Sequence, residues 1–128
     1  MMKMILTNNP KVYEAYKNLL NVEFFLELSQ EDILVKGRDY VQLGAKLLMH
    51  PMLGRIRPNE TPYKSLLLEV GGEKTDINSV LIIEDSIKMT KKSINNTAYR
   101  KYDDLLLEEL QYLDKELFDS GMLKEREL

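Results

Sequence analysis

The chain has 128 residues, which fits one domain of common size and is long enough to bury a core without cross-links. It contains no cysteine, so disulfides, thiolate metal sites and cysteine nucleophiles are all excluded. Its net charge of −3 and its lack of a basic cluster are atypical of nucleic-acid-binding proteins. No apolar run approaches the ~18 residues of a membrane span. The apolar run at the start of the sequence is too short for a signal peptide. We therefore expect a soluble, cytoplasmic protein without a nucleic-acid or membrane partner.

Three predicted strands occupy the first half of the chain, at residues 2–6, 22–28 and 46–49, where apolar and aromatic residues predominate. Two predicted helices separate them, which makes two βαβ units. Such units favour a parallel sheet with right-handed crossovers, and we expect the strand order 2-1-3.

The two helices carry recognisable boundaries. Asn9 can cap the first helix and Pro10 fits its first turn, where a missing N–H costs nothing. Ser29 and Asp32 resemble a capping box that opens the second helix, and Gly44 fits its C-terminal end.

A long loop is predicted at residues 50–64, because three of the four prolines of the chain fall there. Residues 65–70 then form a strand, which we expect to run antiparallel to the third. A helix follows from Asp76 or Asn78, although residues 80–83 are compatible with a strand as well.

The last predicted element is an amphipathic helix at residues 97–120, followed by a frayed tail at 124–128. The chain is thus expected to be a single α/β domain with a core at residues 1–94. Its architecture would be a small three-layer domain with a parallel βαβαβ core, one antiparallel strand and two C-terminal helices.

A binding site is expected where the first and third strands end, because ligands of open α/β sheets bind at the point where strand order reverses. The polar residues gathered there include three bases and one acid, and a helix N-terminus adds a positive dipole end. This combination suits a small anion held by arginine. The predicted ligand-binding residues are Thr7, Asn8, Asn9, Arg55, Arg57, Asn59, Glu60, Thr61, Tyr63 and Lys64.

Each of these features also has a purely structural explanation. Asn8 and Asn9 fit a turn and a helix cap, and the loop arginines fit solvated surface charges, one of them paired with Glu60. His50 is the only histidine and the candidate catalytic residue, but a lone histidine beside proline is also a common structural hydrogen-bonding group. No dinucleotide or P-loop fingerprint is present, so we expect no cofactor and no metal.

Four segments together resemble the GrdX family: T-N-N-P at 7–10, R-D at 38–39, L-L-M-H-P at 47–51 and R-P-N-E-T-P-Y-K-S at 57–65. The resemblance implies a protein encoded beside glycine, sarcosine or betaine reductase genes in anaerobic bacteria that ferment amino acids. Those reductases form acetyl phosphate with selenoprotein and thioredoxin partners. The chain has Gln42 and Ala45 where members often carry histidine, which argues against a multi-histidine metal site.

Three functional hypotheses follow. The first is an accessory protein that binds a small anionic metabolite or a reductase subunit at the strand-end loop. The second is a small enzyme in which His50 is the general acid or base, Arg55 or Arg57 holds an acyl phosphate or carboxylate, and Asn8 stabilises developing charge. The third is a protein adaptor that uses its acidic last helix. The oligomeric state stays open.

Overall fold

The computed structural model describes residues 1–52, 57–95 and 102–127. This part of the chain folds into a mixed four-stranded sheet and four α-helices, with a short 3-10 helix at Pro58–Glu60. The elements in chain order are β1 (Met2–Thr7), α1 (Pro10–Tyr16), β2 (Asn21–Phe24), α2 (Gln30–Gln42), β3 (Lys46–Leu47), β4 (Ser65–Val70), α3 (Ile77–Asn95) and α4 (Asp104–Glu127).

The sheet confirms the α/β class but corrects the predicted strand order. The observed order is β2-β1-β4-β3, so β4 lies between β1 and β3 and is antiparallel to both. Only β1 and β2 form a parallel pair. The predicted order 2-1-3 is therefore wrong, because six residues of β4 pair with all six of β1, whereas β3 has only two residues.

Helices cover both faces of the sheet, which confirms the predicted three layers. Even-numbered residues of β1 and β4, such as Leu6 and Leu66, pack against α2 and α3. Odd-numbered residues, such as Ile5 and Leu67, pack against α1 and α4. This alternation follows from the two-residue period of a strand and buries both faces of the two central strands.

The predicted helix boundaries are largely confirmed. The Asn9 side chain accepts a hydrogen bond from Lys11 N at the start of α1. Ser29 and Asp32 form the predicted capping box of α2. Gly44 follows α2 with a φ of 105°, a conformation that favours glycine. The residues at 80–83 are helical, so the strand alternative is wrong.

Three predicted extents are wrong. β2 ends at Phe24 rather than Leu28. β3 has only the two residues Lys46–Leu47, although Leu48 N still donates to Leu67 O at 3.0 Å. α4 continues to Glu127 instead of ending near Ser120, because buried Met122 extends its apolar face. The described part of the expected frayed tail, residues 124–127, is therefore helical. The same helix was predicted from residue 97, but residues 102 and 103 are not helical and α4 begins at Asp104; residues 96–101 lie outside the described part of the chain. None of the described helices has the length and apolar character that crossing a membrane requires.

Candidate functional site

The segment after β1 and the long loop meet as the sequence predicts. Lys64 N donates to Asn8 Oδ1 at 2.8 Å, and Asn8 N donates to Lys64 O at 3.3 Å. Asn8 Nδ2 also donates to the carbonyls of Leu28 and Pro62, at 2.8 and 2.9 Å. The segments meet because Thr7 pairs with Ser65 across β1 and β4, not because β1 and β3 are neighbours.

A chain of hydrogen bonds continues from this junction to α4. The Thr7 and Ser65 hydroxyl oxygens lie 2.7 Å apart, and Ser65 Oγ donates to Asp114 Oδ2 at 2.8 Å. Asn9 Nδ2 donates to the same carboxylate oxygen at 2.9 Å. Because the backbone N–H of Asn9 donates to Thr7 Oγ1 at 2.9 Å, the four residues close a ring of hydrogen bonds. We call Thr7, Asn9, Ser65 and Asp114 the polar ring.

Lys64 and Asp114 bring opposite charges to this region. Each residue is partly exposed as a whole, but protein atoms surround both charged groups. Burial lowers the pKa of the Lys64 amine, and the Asp114 charge opposes this shift. Burial raises the pKa of the Asp114 carboxyl, against the hydrogen bonds from Asn9 and Ser65 and the charge of Lys64. Desolvation is thus the largest influence on both groups.

A small cavity lies between these two charged groups. Its volume is 30 Å³, and Pro51, Leu117 and Phe118 complete its lining together with Lys64, Ser65 and Asp114. A cavity needs about 10–15 Å³ to hold one water molecule, so this one accommodates a water but not a phosphate or an amino acid. Lys64 Nζ also donates to Pro51 O at 2.7 Å, which ties the amine to the start of the loop.

The start of α1 differs from the anion site expected there. The helix has seven residues, its second residue donates to the Asn9 cap, and Pro10 has no N–H. The Asp114 carboxylate lies beside this cap, where it accepts from Asn9 Nδ2. The protein therefore supplies its own anion at the helix start.

The remaining predicted ligand-binding residues fall into two groups. Thr61 and Tyr63 are tied internally: Thr61 Oγ1 accepts from Tyr63 N, and Tyr63 Oη accepts from Gln111 Nε2. Arg57 and Glu60 face solvent, with side chains 79% and 45% exposed and 4.0 Å between Arg57 Nε and Glu60 Oε1. Asn59 belongs to the 3-10 helix Pro58–Glu60, and Arg55 lies outside the described residues.

His50 is exposed, and its Nδ1 accepts a hydrogen bond from Met52 N at 3.0 Å. This bond places the proton of a neutral imidazole on Nε2. In the described ranges, no hydrogen bond or ion pair joins His50 to a carboxylate that could orient it. The described residues also contain no group of three or more His, Asp or Glu side chains suited to hold a metal ion.

Sequence reasoning missed Asp114, the residue that ties α4 to the strand ends. The signal was available, because Asp114 interrupts the apolar face of α4 between Leu110 and Leu117. It also missed Gln30, whose Nε2 donates to Pro58 O at 2.9 Å and to Thr61 O. These two bonds fasten the loop to the start of α2, and no sequence signal marks Gln30 for that role.

Comparison with known proteins relates the chain to a protein family. The family model described as GrdX-like protein matches residues 4–123, which includes every element from β1 to most of α4. No curated protein and no solved structure matches the chain.

Proposed function

The chain belongs to the GrdX-like protein family, and from this premise we propose that it is an accessory protein that binds a subunit of glycine, sarcosine or betaine reductase. The binding surface would be the exposed part of the strand end. The observation that carries this choice is the 30 Å³ cavity at Lys64 and Asp114, which is too small for a metabolite.

Two features support a protein partner over a small anion. The side chains of Asn8 and the polar ring make hydrogen bonds within the protein. These bonds leave them poorly suited to hold a ligand. Lys64 directs its amine to Pro51 O, and the positive charge that it would offer an anion already faces the Asp114 carboxylate. An entering anion would have to displace or neutralise that carboxylate.

Among the described residues, Arg57 and Glu60 are charged groups that stay available at this end, joined by a 4.0 Å contact. Leu105 is 71% exposed in the first turns of α4, and Glu108 nearby contacts Lys11 at 3.6 Å. In this proposal, Leu105 and the solvated charges are the exposed groups that a partner would contact.

The test is a binding assay between the immobilised chain and each purified reductase subunit. We expect one subunit to bind, and Arg57→Glu to weaken binding about tenfold, which corresponds to about 1.4 kcal/mol. Lys74→Glu is the matched control, because this exposed lysine follows β4 at the opposite end of the sheet. Failure of every subunit to bind, or equal affinity of the parent and Arg57→Glu, would refute the proposal.

The enzyme hypothesis stays as a second candidate, with one observation in its favour. His50 is exposed at the same end, and its hydrogen bond to Met52 N leaves Nε2 as the protonated nitrogen facing away from that bond. We propose a screen for hydrolysis of acyl phosphates with the parent and His50→Ala. Activity that disappears in His50→Ala supports this hypothesis, and activity that persists in the variant excludes His50 as the catalyst.

A further inference from the structure

We propose that the chain binds a free amino acid with an apolar side chain, in a cavity between the start of β1, the turn before β2 and the end of α4. The cavity has a volume of 230 Å³. Its lining consists of Lys3, Tyr16, Leu19, Leu20, Met122 and Glu125. It lies at the opposite end of the sheet from the polar ring, because Lys3 is near the start of β1 and Thr7 ends that strand. The inference is therefore independent of the proposed binding to a reductase subunit.

Two charged residues occupy inward-facing positions at this cavity. Side chains alternate along a strand, so Lys3 points to the same face of the sheet as Ile5, which packs in the core beneath α1 and α4. Glu125 follows buried Phe118 by seven residues on α4, and residues at that spacing share one face of a helix. The Glu125 side chain is accordingly only 20% exposed. β1 and α4 thus direct a cation and an anion into the layer that holds Ile5 and Phe118.

These two charged groups do not satisfy each other. Lys3 Nζ and Glu125 Oε1 are 3.8 Å apart, beyond hydrogen-bond distance, and the described residues provide neither group with a hydrogen bond. A largely buried carboxylate without a hydrogen-bond donor is unfavourable, and a bound cation that donates to it would offset this cost. The zwitterion of an α-amino acid carries an ammonium for Glu125 and a carboxylate for Lys3 on one carbon atom, so both contacts can form together.

The rest of the lining favours an apolar side chain on the ligand. Met122 is buried, Leu20 is half-buried, and Leu19 is 68% exposed beside the cavity. Tyr16 offers its ring, since its hydroxyl donates to Asp119 Oδ1 at 2.5 Å. A water takes up about 30 Å³ of the liquid, so the cavity has room for about eight water-sized groups. Free valine and leucine have about that many non-hydrogen atoms, and their side chains would cover the exposed surface of Leu19.

Isothermal titration calorimetry of the full chain with free leucine tests the proposal. We expect saturable binding by the parent and about tenfold weaker binding by Lys3→Gln and by Glu125→Gln, because each variant removes one charge that the ligand contacts. Lys74→Gln is the matched control: this exposed lysine follows β4 at the same end of the sheet and does not line the cavity, so its variant should bind as the parent does. Absence of saturable binding by the parent, or parent-like affinity in either cavity variant, would overturn the proposal.

A series of leucine analogues tests the ligand class with the parent chain alone, so that no variant has to fold. Isopentylamine lacks the carboxylate, isocaproate lacks the ammonium, and glycine lacks the apolar side chain. We expect each analogue to bind about tenfold more weakly than leucine, or more weakly still, because each loses one of the three contacts. If isopentylamine or isocaproate binds as tightly as leucine, the site does not recognise a zwitterion. If glycine does so, the apolar wall selects nothing, and either result would overturn the proposed ligand class.

Discussion

Asn9 and Asp114 are 105 positions apart in the sequence, yet Asn9 Nδ2 donates to Asp114 Oδ2 at 2.9 Å. Asn9 also caps α1 with its other side-chain atom. One residue therefore fixes the start of α1 and anchors α4 to it. The contact also fills the place at the helix start where an external anion was expected, and this supports the proposed protein partner.

Replacing Asp114 with alanine should destabilise the protein by about 1–3 kcal/mol or more, because Asn9 Nδ2 and Ser65 Oγ lose their acceptor inside the protein. Asp114→Asn should restore part of the loss, since its amide oxygen can still accept. Denaturant unfolding measures both, with Glu116→Ala as an exposed control on the same helix. Equal stability of Asp114→Ala and Glu116→Ala would show that the polar ring contributes nothing.

Lys64 should make stability rise with pH on the alkaline side. Burial lowers its pKa below the 10.5 of an exposed lysine, so the unfolded chain keeps a proton that the folded chain releases. Stability then increases as the pH rises from the lowered pKa towards 10.5. Lys64→Met should remove this increase. Unfolding free energies from pH 7 to 10 test it, and identical pH profiles of parent and variant would contradict it.

Tyr40 should have the opposite effect at higher pH. Its hydroxyl donates to the Glu23 carboxylate, 2.7 Å from each oxygen, and this bond raises the pKa of Tyr40 to about 12. The folded state keeps a proton that the unfolded state releases above about 10, so this stability is lost as the pH rises from 10 through 12. Tyr40→Phe and Glu23→Gln should both flatten the decline in unfolding free energy. If the unfolding free energy declines equally in both variants, groups other than Tyr40 and Glu23 cause the decline.

Gly44 should tolerate alanine far less well than Gly71. Both have positive φ angles, 105° and 96°, so alanine should cost about 1–3 kcal/mol at either site from backbone strain. A Cβ at Gly44 would lie only 2.2 Å from the Gly72 carbonyl oxygen, whereas a Cβ at Gly71 would meet its nearest atom, Met1 Cα, at 3.5 Å. Thermal unfolding should give Gly44→Ala a much lower melting temperature than Gly71→Ala. Equal melting temperatures would contradict this packing.

Much of the fold could be predicted from local patterns. Asn9, Ser29 and Gly44 mark helix ends through chemistry that acts within a few residues, and the structure confirms them. The strand order could not be predicted, because the pairing of β4 with β1 depends on contacts distant in sequence. Residues 65–68 are buried on both faces, as a central strand requires, and that apolar run was the one available hint.

The site was predicted less completely than the fold. The meeting of Asn8 with the loop was expected, but the reason given for it, adjacency of β1 and β3, is wrong. Asp114 was missed because candidate site residues were sought only near the ends of the predicted strands. This carboxylate belongs to α4, 105 positions from Asn9 in the sequence. Whether Arg57 and Glu60 bind a partner stays a prediction, since nothing in their local sequence separates a binding loop from a solvated one.

The most direct test of the account is thermal unfolding of the full chain against phosphate, acetyl phosphate, glycine, sarcosine and betaine. A ligand at a hundred times its Kd would add about 2.7 kcal/mol and raise Tm by several degrees. Because the cavity at Lys64 and Asp114 is too small for any of these compounds, we predict no selective shift with any of them. A saturable shift with one of them that Lys64→Met abolishes would contradict the account and establish a metabolite site at the strand end.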